Sequence, residues 1–391
     1  MLSKRIQNLS QSATLSLNAK VNELIAKGKD IIAFAAGEPD IDTPDFIKEA
    51  CIKALKEGKT KYTPSGGILP LRELLSNSIN ARKRAEYSPS QLTITAGAKM
   101  GLFLVFSAIL NEGDEVIIPS PYWVTYPEQV KLLGALPVFV DLPEMSGFEL
   151  IPELILEKIT ERTKAIVINS PCNPTGAIYS KGSIEKLAEI CLSRKIFIIS
   201  DECYEELYFD GNVPFSPISI SKELREITFL VSAFSKSFSM TGWRIGYVAS
   251  PNSFAKAIEN LNAQSISNAT SFAQYGALEA LKNPLSADFL SSLREIFQKR
   301  RDVAFQELSK IGLSVNKPAG AFYILANFRR HLVSLSEEEL LNKLLDFGVA
   351  CVPGSPFGAR GLFRLSFCLS EDRIKEGIRR ISKAIESISL E

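Results

Sequence analysis

The sequence predicts an α/β protein: a large domain on a mainly parallel seven-stranded sheet between helices, and a smaller α+β domain. Three observations carry this expectation. Short apolar runs alternate with amphipathic stretches from about residue 90 to 250, as strands and covering helices do in parallel sheets. After Ser250 helical stretches dominate to about residue 311, and strand-like runs return only as AFYILANF, VACVP and LFRLSF. The chain, at 391 residues, is also longer than one small core requires.

The expected strands of the large sheet are residues 92–95, 115–119, 138–141, 165–169, 197–201, 228–233 and 245–249. Runs such as AIVIN and FIISD are apolar at consecutive positions, which is how a strand buried on both faces reads. Helical periodicity fills many of the intervals, as at 100–110 and 183–194. A long helix is expected from about residue 286, another over 336–347, and an amphipathic helix at the end. Glycine and proline mark loops at Ala36-Gly37-Glu38-Pro39-Asp40, at Tyr62-Thr63-Pro64-Ser65-Gly66-Gly67 and from Pro171 to Gly176.

Composition excludes several classes of function. A formal net charge of +1 gives no field to recruit nucleic acid or an anionic membrane. The basic run Arg82-Lys83-Arg84 reads as a solvated helix end. Six scattered cysteines form no C-x-x-C pair, and His331 is the only histidine, so neither a metal site nor a histidine triad is expected. Free thiols in a large core fit a reducing cytoplasm, and Cys172 and Cys203 read as small buried hydrophobes. The N-terminus lacks a signal-peptide core, and no apolar run is long enough to span a membrane.

The chemistry concentrates in a few residues. Asp201 ends an apolar run, Lys236 follows the next among Ala233, Ser235, Ser237 and Ser239, and Arg244 lies eight residues on. Singly, each reads as a surface or ion-pair residue. Together they supply three handles for a phosphorylated aromatic cofactor: an amine that forms an imine, a carboxylate for a ring nitrogen, and a guanidinium for a phosphate. The end of a parallel strand is also where open α/β sheets bind ligands. The turn Thr95-Ala96-Gly97-Ala98-Lys99 joins a strand to a helix and aims backbone N–H groups at an anion. No G-x-G-x-x-G or Walker A pattern follows any strand. Arg364 lies inside the apolar run LFRLSF, a costly place unless an anion meets it; Arg360, beside glycine, is the weaker rival.

With these residues in view, the chain resembles the class I aminotransferases of the pyridoxal-phosphate (PLP) fold type I, nearest the bacterial aspartate aminotransferases of the I-beta subgroup. The resemblance rests on Ala36-Gly37-Glu38-Pro39-Asp40, Lys61-Tyr62, Pro121-Tyr122-Trp123, Asn173-Pro174-Thr175-Gly176, Asp201-Glu202-Cys203-Tyr204, Ser235-Lys236, Gly242-Trp243-Arg244-Ile245-Gly246 and Arg364-Leu365-Ser366-Phe367. It implies residues 1–46 as an N-terminal arm and part of the small domain, 47–285 as the large cofactor-binding domain, and 286–391 as the small C-terminal domain.

The resemblance implies PLP held covalently by Lys236, which then shuttles a proton. Asp201 would hold the pyridine nitrogen, Tyr204 and Asn173 the phenolic oxygen, and Trp123 the ring face. Gly97, Ala98, Lys99 and Arg244 would hold the phosphate. Ala233 departs from the Ser or Gly common three residues before the lysine, which leaves Ser235 as the neighbouring hydroxyl. Substrate would meet Gly37, Lys99, Trp123, Asn173 and, at its α-carboxylate, Arg364. Ser12 and Thr14 would lie near the distal carboxylate. Ser10 stands where prephenate-accepting members tend to carry a basic residue. Tyr62 would reach the phosphate of the other subunit, implying a homodimer with shared sites. The expected reaction is ping-pong transamination between aspartate or glutamate and their 2-oxo acids. Prephenate, aromatic or LL-diaminopimelate transamination, C–S lysis and decarboxylation are the alternatives. A non-enzymatic sensor would need a DNA-binding module before the fold, and about 30 residues precede Ala36.

Overall fold

The computed structural model describes residues 2–388 other than 8, 10–12 and 334. Seven strands form the large sheet: β1 (Leu92–Thr95), β2 (Glu115–Ser120), β3 (Leu136–Asp141), β4 (Thr163–Asn169), β5 (Phe197–Asp201), β6 (Thr228–Ala233) and β7 (Gly246–Ala249). Their order is β1-β7-β6-β5-β4-β2-β3. Strand β7 runs antiparallel to both neighbours and the remaining pairs are parallel. All seven expected strands are therefore present in one mainly parallel sheet, with ends moved by at most two residues.

The period-two alternation of a strand sends neighbouring side chains to opposite faces, and here both faces are covered. Val116, Ile118, Val167 and Ile199 pack with Leu102, Val105 and Phe106 of the helix Ala98–Ile109. Ile117, Ile166 and Ile198 pack with Ile184, Leu187 and Cys191 of the helix Lys181–Arg194. Double coverage explains why the runs carry no polar alternation.

The C-terminal part forms a second, antiparallel sheet from β8 (Ser314–Val315), β9 (Tyr323–Asn327), β10 (Val352–Pro353) and β11 (Leu362–Ser366), ordered β10-β11-β9-β8. The helix Glu371–Ile388 buries Ile374, Ile378, Ile381 and Ala384 against it, one stripe of an amphipathic helix. The long helix Leu285–Lys310 joins the same core through Leu293, Phe297, Ala304 and Leu308. From the other end of the chain, Ile32–Ala33 pairs in parallel with Val349–Ala350, which brings the following Phe34 to Gly37 over this sheet.

The expectation of a solvated helix end at Arg82-Lys83-Arg84 holds for Arg82 and Arg84, which are exposed at the end of the helix Leu69–Lys83, and is overturned at Lys83. Lys83 is 10% exposed, and its Nζ lies 2.6 Å from Glu202 Oε2 and 2.8 Å from Glu205 Oε2. The reason is tertiary: the acids come from the loop after β5.

Candidate active site

The carboxyl ends of the parallel strands gather the polar residues. Asn169 and Asp201 end β4 and β5 and are paired in register. The Asn169 side chain donates to the Asp201 carbonyl at 3.1 Å and accepts from the Asn173 N–H at 2.9 Å, so the turn after β4 is fixed to the end of β5. Asp201 is buried. Its Oδ2 accepts from the Tyr126 hydroxyl at 2.6 Å and its Oδ1 from the Cys203 N–H at 3.2 Å. Burial pushes the Asp201 carboxyl above its ordinary value, against the pull of these donors.

Lys236 lies three residues beyond the end of β6, in the one-turn helix Phe234–Ser237, beside the buried Ser235. Its Nζ donates to the Gly37 carbonyl and lies 5.7 Å from the Phe322 ring centroid. Desolvation pulls the amine below its ordinary value, which favours the neutral, nucleophilic form.

Arg364 stands in the middle of β11 and is buried. Nη1 donates to Asn173 Oδ1 at 3.0 Å and Nη2 to the Ala35 carbonyl at 3.3 Å, while Nε has no partner. The guanidinium is sandwiched between the Tyr323 and Phe357 rings, 4.4 and 4.9 Å from their centroids. Among the described residues no carboxylate pairs with it, and desolvation pulls it below its ordinary value. A guanidinium donates only, so the Asn173 amide must turn Oδ1 to Arg364 and Nδ2 to the Tyr204 hydroxyl, 3.5 Å away. The Tyr204 hydroxyl lies in turn 3.0 Å from that of Tyr323.

A second cationic group lies at the start of the helix Ala98–Ile109. Gly97 caps it with φ 78°, and a Cβ there would sit 2.6 Å from Arg244 Nη2. Only glycine lets the guanidinium lie against this turn. Arg244, exposed and itself in the left-handed region, donates to the carbonyls of Thr241 at 2.9 Å and Ala96 at 3.3 Å and has no carboxylate partner among the described residues. Gly246 serves the same turn from β7, since a Cβ there would lie 2.6 Å from the Ala98 nitrogen. Lys99 Nζ is 5.1 Å from the Trp123 ring centroid, and Trp123 meets Tyr126 edge to face. Desolvation and then the Arg244 charge pull Lys99 below its ordinary value; it too has no acid partner among the described residues. Backbone N–H groups at a helix start, with an arginine and a lysine that meet no anion among the described residues, make a phosphate cradle. The residues present therefore fit the cofactor inferred from the sequence.

These contacts join Gly37, Lys236, Asp201, Tyr204, Asn173, Arg364, Trp123, Lys99, Gly97 and Arg244 into one neighbourhood. Tyr62 is not part of it in the single chain: it is 88% exposed and bonds to none of them. Thr14 is half-buried, while Ser10 and Ser12 lie outside the described residues. Sequence reasoning missed Tyr126, Tyr323, Asn169 and Phe357. Of these, only Tyr126 left a signal, three residues after Trp123, in the first turn of the helix Thr125–Leu132.

The sequence matches the family model described as aminotransferase class I and II over residues 29–381, and the chain belongs to that family. It is a PLP-dependent enzyme that moves amino groups between amino acids and 2-oxo acids. The probable aspartate/prephenate aminotransferase of Aquifex aeolicus is 58% identical over 390 residues, 99% of each chain. The aspartate aminotransferase of Bacillus subtilis is 45% identical over 99% of this chain and all of that one. Among solved structures, aspartate aminotransferase from Thermus thermophilus with maleate superposes with a TM-score of 0.95 at 42% identity, covering 98% of this chain and 99% of that one. Among the described residues no helix is long and apolar enough to cross a membrane.

Proposed function

We propose that this enzyme transfers the amino group between L-aspartate or L-glutamate and oxaloacetate or 2-oxoglutarate, in a ping-pong cycle at the site described. One observation carries the reading: among the described residues Arg364, Arg244 and Lys99 have no carboxylate to pair with. A dicarboxylate with the cofactor phosphate brings three anionic groups to three cations. The α-carboxylate would meet Arg364, the phosphate Arg244 and the Gly97-Ala98-Lys99 turn, and the distal carboxylate Lys99. The relatives' names and the maleate in the Thermus structure support the dicarboxylate.

PLP supplies an electrophilic carbon for the amino group and an electron-withdrawing ring. Lys236, its amine pulled below the ordinary value by desolvation, would hold the cofactor and carry the proton between substrate Cα and cofactor. Asp201 would hold a proton at the ring nitrogen, its carboxylate steadied by Tyr126 and the Cys203 N–H. Tyr204 and Asn173 would donate to the phenolic oxygen, Trp123 would cover the ring face, and Ser235 would lie beside the phosphate in place of a hydroxyl missing at Ala233. Gly37, with no side chain, leaves room for the substrate carboxylate.

A single-turnover amino-acid panel tests this, following loss of bound PLP and gain of pyridoxamine phosphate together with the 2-oxo acid. Aspartate and glutamate should react fastest; neutral amino acids reacting as fast would overturn the dicarboxylate assignment. Prephenate as amino acceptor is the second reading, favoured by the name of the Aquifex relative; it also carries two carboxylates. The panel run in reverse with prephenate decides it.

The working unit would be a homodimer, on the exposure of Tyr62. Mixing Lys236→Ala with Tyr62→Phe subunits should raise activity above the mean of the parents, since one hybrid site carries neither lesion. Six free cysteines fit a cytoplasmic enzyme. We assign residues 1–46 to the arm and small domain, 47–285 to the large domain and 286–391 to the small domain, with limited proteolysis as the check.

A further inference from the structure

We propose that Tyr323 is a positioning residue that sets the hydrogen-bond direction of Tyr204 with its hydroxyl and the plane of Arg364 with its ring. The inference rests on the reading of Tyr204 as donor to the cofactor's phenolic oxygen. Three contacts converge on Tyr323. Its hydroxyl is 3.0 Å from the Tyr204 hydroxyl, its ring lies 4.4 Å beneath the Arg364 guanidinium, and Gly37 stands so close that a Cβ there would be 3.3 Å from Tyr323 Oη. Tyr323 is fully buried at the start of β9, and the β9–β11 pairing sets Leu325 opposite Arg364. The segment before it is tied down: the Ala319 and Gly320 N–H groups both donate to the Gly176 carbonyl at 2.9 Å, and the Ala321 N–H donates to the Leu207 carbonyl at 2.8 Å. Tyr323 is thus fixed to the turn that carries Asn173 and to the loop that carries Tyr204.

The direction of the bond follows from counting protons. A phenol has one proton to give. Burial pushes the Tyr204 hydroxyl well above its ordinary value and that of Tyr323 to about 12, so both keep that proton at neutral pH. The Asn173 amide is oriented by Arg364 and donates towards the Tyr204 oxygen. The cofactor's phenolate oxygen only accepts, so Tyr204 must spend its single proton on it. The bond between the two tyrosines then has one possible direction: Tyr323 donates and Tyr204 accepts. Donation to a phenol oxygen makes that phenol a stronger donor in turn. Tyr323 therefore strengthens the hold on the cofactor oxygen, while its ring face stabilises the unpaired guanidinium.

The two roles separate in two substitutions. Tyr323→Phe keeps the ring and removes the hydroxyl; Tyr323→Leu removes both. In the holoenzyme the pH midpoint of the cofactor's visible absorbance should rise in Tyr323→Phe by about 0.5, as one neutral hydrogen bond supporting the phenolate is lost. The KM for aspartate should stay within about twofold, because the stack on Arg364 remains. In Tyr323→Leu the midpoint should rise equally, and KM should rise roughly fivefold with loss of the cation–π contact. Equilibrium dialysis of cofactor and near-ultraviolet circular dichroism establish that each variant is loaded and folded. Tyr204→Phe is the control for the underlying reading and should raise the midpoint more than either. If Tyr204→Phe raises it and Tyr323→Phe does not, the role of Tyr323 is overturned and that of Tyr204 stands. If Tyr204→Phe leaves it unchanged, the reading of Tyr204 is overturned and this inference falls with it.

Discussion

Two groups of cations flank the end of β5, one on the acids that follow Asp201, and they are built on opposite rules. In the first, every charge has a partner. Lys83 bridges Glu202 and Glu205, Arg82 pairs with Glu205 at 3.5 Å and with Glu206, and Arg294 reaches Glu206 at 3.4 Å. Ser200 and Ser216 also donate to Glu202, at 2.7 and 2.5 Å. In the second, Arg364, Arg244, Lys99 and Lys236 bond, among the described residues, only to carbonyls and an amide or face aromatic rings. Removing a cation from water without an anion costs several kcal/mol. A fold that neutralises one cluster so fully, and leaves the buried Arg364 bare, holds it for an anion that arrives from outside; Lys99 and Arg244 are more exposed and carry less of that cost. The unpaired cation marks the ligand; the paired one marks the scaffold. Asp201 and Glu202, adjacent in sequence, divide between the two.

The contrast makes opposite predictions for similar substitutions. The largest effect is expected at Lys236. Lys236→Ala should reduce turnover by ~10⁴-fold through loss of the amine that carries the proton, while PLP still binds through Arg244 and the helix start. Substantial turnover in the purified variant would remove Lys236 from the chemistry. Arg364→Leu should lower kcat/KM for aspartate by roughly 10²- to 10³-fold, the cost of leaving a carboxylate without its charged partner. Yet the free protein should resist urea as well as the parent or better, since a buried cation without an anion is removed. Lys83→Met should do the reverse. It strands Glu202 and Glu205 in the interior and should cost about 3–5 kcal/mol of stability, with kcat/KM of the folded fraction little changed. If Arg364→Leu destabilises as much as Lys83→Met, the distinction between the two groups fails.

Acid should distinguish them next. Burial alone would raise the Glu205 carboxyl, but the Lys83 and Arg82 charges overcome it and hold it at about 2, below its ordinary value of 4.5. A carboxylate depressed in the folded state contributes stability that is complete above its unfolded value and drains as pH falls through the folded one. Stability should therefore fall between about pH 4.5 and pH 2. Glu206 opposes this: burial and the Glu205 charge raise it, so its protonation relieves strain on acidification. Urea midpoints across the window should fall more steeply in the parent than in Lys83→Met, where the attraction that depresses Glu205 is gone. Parallel curves would mean that the cluster is not the acid-sensitive element.

How legible all this was in the sequence follows the range of the forces involved. The strands were legible because burial on both faces leaves consecutive apolar residues, as in Ile198 and Ile199. Asp201, Lys236 and Arg364 stood out because each interrupts or ends such a run, where an ionisable group needs a reason. Lys83 was misread because its partner Glu202 lies 119 residues further on, and nothing local distinguishes a neutralised lysine from a solvated one. Tyr126 reaches Asp201 across 75 residues, and Tyr323 reads as an ordinary strand aromatic. Their significance lies in where a hydroxyl points, which is set by packing between loops and leaves no mark in periodicity.

Lys99 is the finest test of the comparison, because it is exposed and the smallest effect is expected there. It stands at a helix N-terminus, where the helix dipole disfavours a cation. Desolvation and Arg244 add to that cost, and the Trp123 face offsets it only in part. Two anions compete to explain its position, the cofactor phosphate and the distal carboxylate of the substrate, and they respond differently to substitution. If the carboxylate is the partner, Lys99→Ala should lower kcat/KM for aspartate by about tenfold, the equivalent of ~1.4 kcal/mol. Turnover of alanine, which has no second carboxylate, should change little. Equal losses for both amino acids would assign Lys99 to the phosphate. No loss for either would make it a solvated lysine beside a tryptophan. In the last case the unpaired-cation rule would reach only as far as Arg364 and Arg244, and in both cases the preference for dicarboxylates would have to be carried by residues other than Lys99.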